Sequence, residues 1–131
     1  MKKHSWCEGY LYDKLLSPLA AWLVESIVDL VPNNSTVLEI GCGPGVLACR
    51  LGTKCANVTA IDISERMIEY AKRKKFQSKI ENVDFLCFPA ADIELKVQGH
   101  FDYAISSFCL HEMNSQQRYE AVRNCLKNRK G

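Results

Sequence analysis

The sequence predicts an α/β domain in which a parallel sheet lies between helical layers. Three observations point there. β-prone runs alternate with runs at helical spacing along the 131 residues. The strand-like runs are apolar on both sides, the pattern of a sheet covered on both faces. One of them, Val37-Leu38-Glu39-Ile40, leads straight into a loop with glycine at alternate positions, Gly41-Cys42-Gly43-Pro44-Gly45, and a helical pattern starts at Val46-Leu47-Ala48. Strand, glycine loop and helix in that order let a backbone approach a ligand closely, because glycine has no Cβ to hold it off. The helix N-terminus behind the loop offers unpaired N–H groups and a positive dipole end to an anionic group.

The elements follow in order. Ser17-Pro18 reads as a helix start, an N-cap followed by proline at the first helical position. Leu19, Trp22, Leu23, Ser26, Ile27 and Leu30 form a stripe at helical spacing, which Pro32-Asn33-Asn34 stops. The first strand runs from Thr36 to Gly41 and its helix from Pro44 to Leu51. A second strand, Asn57 to Asp62, precedes a helix from Ser64 to Lys75 with Met67, Ile68 and Ala71 inward. Val83 to Phe88 makes a third strand, with a loop or short helix through Ala90 to Leu95. A fourth strand spans Phe101 to Ser107, and a last helix spans Ser115 to Leu126 with Tyr119, Val122 and Leu126 on one face.

The apolar and charged fractions, 47% and 24%, are those of an ordinary globular domain. A net charge of +2 exerts no general pull towards nucleic acid or membrane. The seven cysteines are odd in number and contain no Cys-x-x-Cys pair, which argues against a disulfide framework and a zinc site. Small core filler is their expected role, Cys87 in a strand and Cys125 in a helix included. No metal site is expected, and a reducing cytoplasm is the expected compartment. The N-terminus lacks the apolar stretch of a secretion signal, and Leu19 to Val31, interrupted by Glu25 and Asp29, is too short to span a bilayer. Lys72-Arg73-Lys74-Lys75, with Lys79 beyond, sits at a helix C-terminus where cations favour the dipole, so it needs no nucleic-acid partner.

Two readings compete for the glycine loop. A dinucleotide-binding turn wants Gly-x-Gly-x-x-Gly, yet Val46 stands at the third glycine position and glycine falls one residue earlier, at Gly45. That spacing makes a nicotinamide-dependent oxidoreductase a distant reading. Glu39-Ile40-Gly41-Cys42-Gly43-Pro44-Gly45 instead resembles the first motif of class I S-adenosylmethionine (SAM)-dependent methyltransferases at every defined position. Asp62 ends the second strand, 21 residues after Gly41, where a carboxylate can accept hydrogen bonds from both hydroxyls of a ribose or can cap the following helix.

The resemblance implies a Rossmann-like three-layer fold with strand order 3-2-1-4-5-7-6, of which the first four strands are present. It implies that Glu39, Gly41, Cys42, Gly43 and Gly45 hold the cofactor, with Glu39 orienting the loop and reaching the methionine part, often through water. A buried carboxylate must use its lone pairs, so loop N–H groups are expected on Glu39. Ala60-Ile61-Asp62-Ile63-Ser64 looks like the acidic second motif, with Asp62 on the ribose and Ile63 beside the adenine. At the third strand the sequence departs from the family: Pro89 stands where an acid usually meets the adenine edge. Ala90 can still offer its N–H, and Asp92 either supplies the missing acceptor or caps a turn. Ser107, or its neighbour Phe108, would contact SAM through the backbone. His111 in the following loop is the general-base candidate, its imidazole titrating near working pH, against a second reading as a structural hydrogen-bonder. Tyr10 and Tyr12 are read as packing residues or as a lid.

The expected function is transfer of a methyl group from SAM to a small-molecule acceptor, leaving S-adenosylhomocysteine (SAH). The alternative is a catalytically incomplete SAM-binding or protein-interaction module derived from a methyltransferase. Residues 1–131 are read as one truncated domain, with a helical segment over 1–34 and the Rossmann-like core over 35–131. Strand 4 would then be an edge with Phe101, Tyr103 and Ile105 partly uncovered, and self-association through it to a homodimer is one expected consequence. No nucleic acid and no membrane span are expected as partners.

Overall fold

The computed structural model describes residues 18–106. A helix α1 (Pro18–Leu30) precedes β1 (Thr36–Ile40), α2 (Val46–Gly52), β2 (Asn57–Asp62), α3 (Glu65–Gln77) and β3 (Val83–Cys87). A 3-10 turn (Ala90–Asp92) runs into the one-turn helix α4 (Ile93–Lys96), and β4 (Tyr103–Ser106) follows. The four strands form one parallel sheet in the order β3-β2-β1-β4. This is the Rossmann-like order expected for the first four strands.

Strand alternation sends successive side chains to opposite faces. Val37, Val58, Ala60, Val83 and Phe85 face the three long helices and join Val24, Val28, Leu47, Ala48, Leu51, Ile68 and Ala71 in the larger core. Leu38, Ile40 and Ile61 face the other way and pack with Phe88, Ala90, Ile93, Val97 and Phe101. That second face is covered less completely: Asp84, Leu86 and Ala104 are exposed. Among the described residues, α1, α2 and α3 sit on one side, and the 3-10 turn with the one-turn helix α4 serves the other.

Polar clamps set the register where the core cannot. Thr36 N donates to Asp102 Oδ2 (2.9 Å) and Asp102 N to Thr36 O (2.8 Å), fixing the entrance of β4 against β1. Asn82 Nδ2 donates to Gly52 O and Cys55 O, both at 2.9 Å, tying the end of α2 to the start of β3. Arg50 forks onto Glu25 and joins α2 to α1.

Several expectations need correction. The inward face of α1 is Val24 and Val28 with Ile27 partly buried, continued by buried Val31 just after the helix, whereas Trp22 is 63% exposed and Leu23 and Leu30 are also exposed. The helix is apolar on two faces, so spacing alone does not select the one that meets the sheet. Cys87 is not core filler: it ends an edge strand and is exposed, while Cys42, Cys49 and Cys55 are buried. Phe101 is buried rather than uncovered, although Tyr103 beside it is exposed and Ile105 only partly buried. Among the described residues β4 does stand at a sheet edge. Met67, Ile68 and Ala71 are inward as expected. The helix expected over Ser115 to Leu126, with Cys125, lies outside the described residues, as do Ser17, Tyr10 and Tyr12.

Candidate functional site

The sheet is parallel, so all four strands end on one side, with Ile40 level with Ile61 and Ser106, and Asp62 level with Cys87. The chain order reverses about β1, whose neighbours are β2 on one side and β4 on the other. In open parallel sheets this switch point leaves a crevice outside the carboxyl ends of the strands.

The glycine loop occupies that crevice. Gly41, Gly43 and Gly45 have φ of 74°, 56° and 86°, a left-handed series that only glycine adopts without strain. The backbone N–H groups of Gly41 and Cys42 both donate to Ile61 O (2.8 and 3.0 Å), that of Gly43 to Asp62 Oδ2 (2.8 Å), and that of Gly45 to Cys42 O (3.1 Å). Gly45 faces inward: a Cβ there would stand 2.8 Å from both Ala71 Cβ and Phe85 Cζ. Its lack of a side chain is thus explained by helix–sheet packing. The inward positions of Ala71 and Phe85 could be read from periodicity, but not that both lie under the same glycine.

Asp62 holds the site together. Besides Gly43, it accepts from Ser64 N through Oδ1 at 2.9 Å. Ser64 in turn caps α3, its Oγ accepting from Met67 N at 3.2 Å. The two roles considered for Asp62 therefore do not exclude each other. Each carboxylate oxygen accepts one of these backbone bonds.

Glu39 is different. It is 1% exposed, and its Oε1 has no hydrogen-bond partner among the described residues. Loop N–H groups are expected on Glu39, but those of Gly41, Cys42, Gly43 and Gly45 are turned to Ile61, Asp62 and Cys42 instead, and none reaches Oε1. Burial, with the charge of Asp62 adding to it, pushes the Glu39 carboxyl up to about 8. A buried polar atom left without a partner is costly, and at a ligand crevice it marks where a donor or cation from outside would be welcome.

The remaining residues spread along the strand ends. Ile63 is 54% exposed just beyond β2. Cys42 is buried in the loop, its Sγ donating to Gly43 O. Pro89 is extended at the head of the 3-10 turn, Ala90 is buried within that turn, and Asp92 sits at the N-cap of α4 without a side-chain cap bond. Ser107, Phe108 and His111 lie outside the described residues. The structure thus brings Glu39, the three glycines, Cys42, Asp62 and Ile63 to one crevice, with Ala90 and Asp92 after the neighbouring strand end. The Asp62–Gly43 bond is a feature that sequence reasoning missed; only the 21-residue separation of Gly41 and Asp62 hinted at it.

Comparison with known proteins agrees with this geometry. The family described as "Methyltransferase domain" matches residues 37–130. The ubiquinone biosynthesis O-methyltransferase of Coxiella burnetii is 31% identical over 113 residues, 85% of this chain and 45% of its own length. The probable ribosomal RNA small subunit methyltransferase A of Methanopyrus kandleri is 38% identical over 80 residues, 59% of this chain and 29% of its own length. The chain therefore spans less than half the length of these curated relatives. Among solved structures, Streptococcus mutans SMU.1697c in complex with SAH superposes with a TM-score of 0.69 at 17% identity, over 88% of this chain and 68% of that one. The [4+2]-cyclase SpnF superposes with a TM-score of 0.71 at 25% identity, over 82% of this chain and 40% of that one.

Proposed function

The chain belongs to the SAM-dependent methyltransferase domain family, and from that premise we propose that it binds SAM at the carboxyl ends of β1 and β2 and transfers the methyl group to a small-molecule acceptor. The observation that carries the reading is the glycine loop, held between an acid that grips it and an acid that it leaves unpartnered. An orphaned buried carboxylate oxygen suits a ligand that brings its own positive charge.

The residues divide the work. Asp62, its carboxylate held in place by Gly43 N and Ser64 N, accepts the two ribose hydroxyls. Exposed Ile63 offers an apolar surface to the adenine. Ala90 and Asp92 serve the adenine edge in place of the acid that Pro89 displaces. Gly41, Cys42, Gly43 and Gly45 keep the loop backbone low, and Glu39 faces the amino-acid end. When bound, SAM supplies a sulfonium methyl that a nucleophile takes in a single displacement, so the protein chiefly aligns the two reactants and excludes water. Ser107 adds a backbone contact, and His111 takes the proton that the acceptor loses.

The relatives' names point to two acceptor classes, a ubiquinone precursor pathway and ribosomal RNA. A net charge of +2 favours the small molecule, since phosphate backbones draw affinity from clustered cations. Calorimetry of the full chain with SAH tests the cofactor part: saturable binding is expected, and no heat at high ligand concentration would remove the reading. Transfer of labelled methyl from SAM to a quinone-precursor phenol, and not to ribosomal RNA, tests the acceptor class.

A further inference from the structure

We propose that Glu39 carries a proton in the ligand-free protein and releases it to solvent when the ammonium group at the amino-acid end of SAM or SAH enters the crevice, so that cofactor binding tightens as pH rises. The inference rests on the cofactor reading above and extends it to the regulation of the same site.

The case begins with the donors around Glu39. The N–H groups of Gly41, Cys42, Gly43 and Gly45 have acceptors elsewhere, and Pro44 has no N–H to give. The loop nearest Glu39 thus sends it none of these bonds, and Oε1 is buried without a partner among the described residues. Among the described residues, Arg50 pairs with Glu25 on the surface rather than with Glu39, and the charge that acts on Glu39 is that of Asp62.

The charged and titratable groups that face Glu39 push the same way. On β2, Glu39 is level with Ala60, and Asp62 lies two residues further along the same face. Its negative charge disfavours a second one beneath it. On α2 stands the Cys49 thiol, which burial pushes up and which Glu39 itself disfavours as a thiolate. Lys74 and Lys75 of α3 act on Cys49, not on Glu39. On β4 the residues level with Glu39 and Ile40 are Ile105 and Ser106, neither of which titrates in this range. Burial and Asp62 together hold the carboxyl near 8, so the neutral acid is the form at neutral pH.

A ligand cation reverses that balance. An opposite charge at close range favours the ionised form, so the Glu39 O–H bond breaks and its proton passes to the buffer. No other bond changes. The linkage runs one way: a site that must lose a proton to bind gains affinity up to tenfold per pH unit below the free-protein value and levels off above it.

Calorimetry of the full chain with SAH at pH 7, in buffers of low and high ionisation enthalpy, counts the protons. Close to one proton released per SAH is expected, with Kd falling several-fold to tenfold per unit between pH 6 and 8 and no release from Glu39→Gln. Carbon-13 carboxyl NMR of the ligand-free wild type follows Glu39 directly and needs neither ligand nor variant. A midpoint well above the ordinary glutamate range supports the inference, and a carboxylate already ionised at pH 6 overturns it. SAH binding without proton release also overturns it while leaving the cofactor reading intact. Absence of SAH binding overturns the cofactor reading and the coupling together.

Discussion

Glu39 and Asp62 stand on the same face of neighbouring parallel strands, and the fold treats them in opposite ways. Asp62 is at the exit of β2, level with the turn of the glycine loop, and accepts from Gly43 N and Ser64 N. Glu39 is two residues deeper, roughly 6–7 Å along the strand, where its Oε1 has no partner among the described residues. The side chains differ by one methylene, so chemistry does not separate them. Their level relative to the loop does: backbone donors cluster where strands end, and a carboxylate below that level is left to burial.

The sharpest way to break this contrast is to lift the loop. Gly45→Ala combines a left-handed φ of 86° with a Cβ 2.8 Å from both Ala71 Cβ and Phe85 Cζ. Left-handed strain and overpacking together should cost roughly 3–4 kcal/mol of unfolding free energy, read by urea denaturation. The same substitution at Gly99, also at positive φ but with nothing within 4 Å, should cost only the backbone part, roughly 1–2 kcal/mol.

The next effect belongs to Asp62 alone. Asp62→Ala removes the acceptor for two backbone N–H groups and for the proposed ribose contact. SAH affinity should fall roughly a hundredfold, about 2.7 kcal/mol, as expected when charge-assisted hydrogen bonds are lost. Calorimetry against the wild type measures it. A loss under threefold would mean that the acid serves only the loop.

These predictions draw on features of unequal visibility in the sequence. The strand–loop–helix unit was legible because glycine at alternate positions has few other uses, and Asp62 was legible by its separation from Gly41. Strand order came from the resemblance rather than from residue pattern, since alternation of strands and helices does not order a sheet. The inward face of α1 was not legible, because Val24, Val28 and Val31 compete with Trp22, Leu23 and Leu30 at equally helical spacing. Nor was the isolation of Glu39. A sequence shows which N–H groups lie near an acid but not which way they turn.

An effect of another kind, read against pH, sharpens the Glu39 side. A buried carboxyl raised from 4.5 to about 8 binds its proton more tightly in the folded than in the unfolded chain. Its contribution to stability is fully present below about 4.5 and is lost as pH rises towards about 8. The slope is up to about 1.4 kcal/mol per pH unit. Glu39→Gln, which cannot ionise, should flatten the curve over that window, so the two proteins should diverge most at pH 8. Denaturation of ligand-free protein at pH 5 and pH 8 gives the comparison, and parallel curves would place the ionised acid in the folded state.

The smallest effect reads the open side of the crevice, at Cys87. This thiol is exposed level with Asp62, and its Sγ donates to Ile63 O at 3.6 Å. Desolvation first, then the charges of Glu65 and Asp62, push it up from the usual thiol range against the pull of Lys72. Exposure makes it the cysteine that reagents reach before buried Cys42, Cys49 and Cys55, but the thiolate is the reacting form, so alkylation at pH 7 should be slow. Asp62→Ala removes one of the two charges that hold the thiol up and should speed labelling several-fold. Glu39→Gln, acting on the deeper level, should leave the rate within about twofold. Mass spectrometry of iodoacetamide-treated protein separates the two, and equal acceleration by both variants would mean that the acids share one electrostatic environment after all.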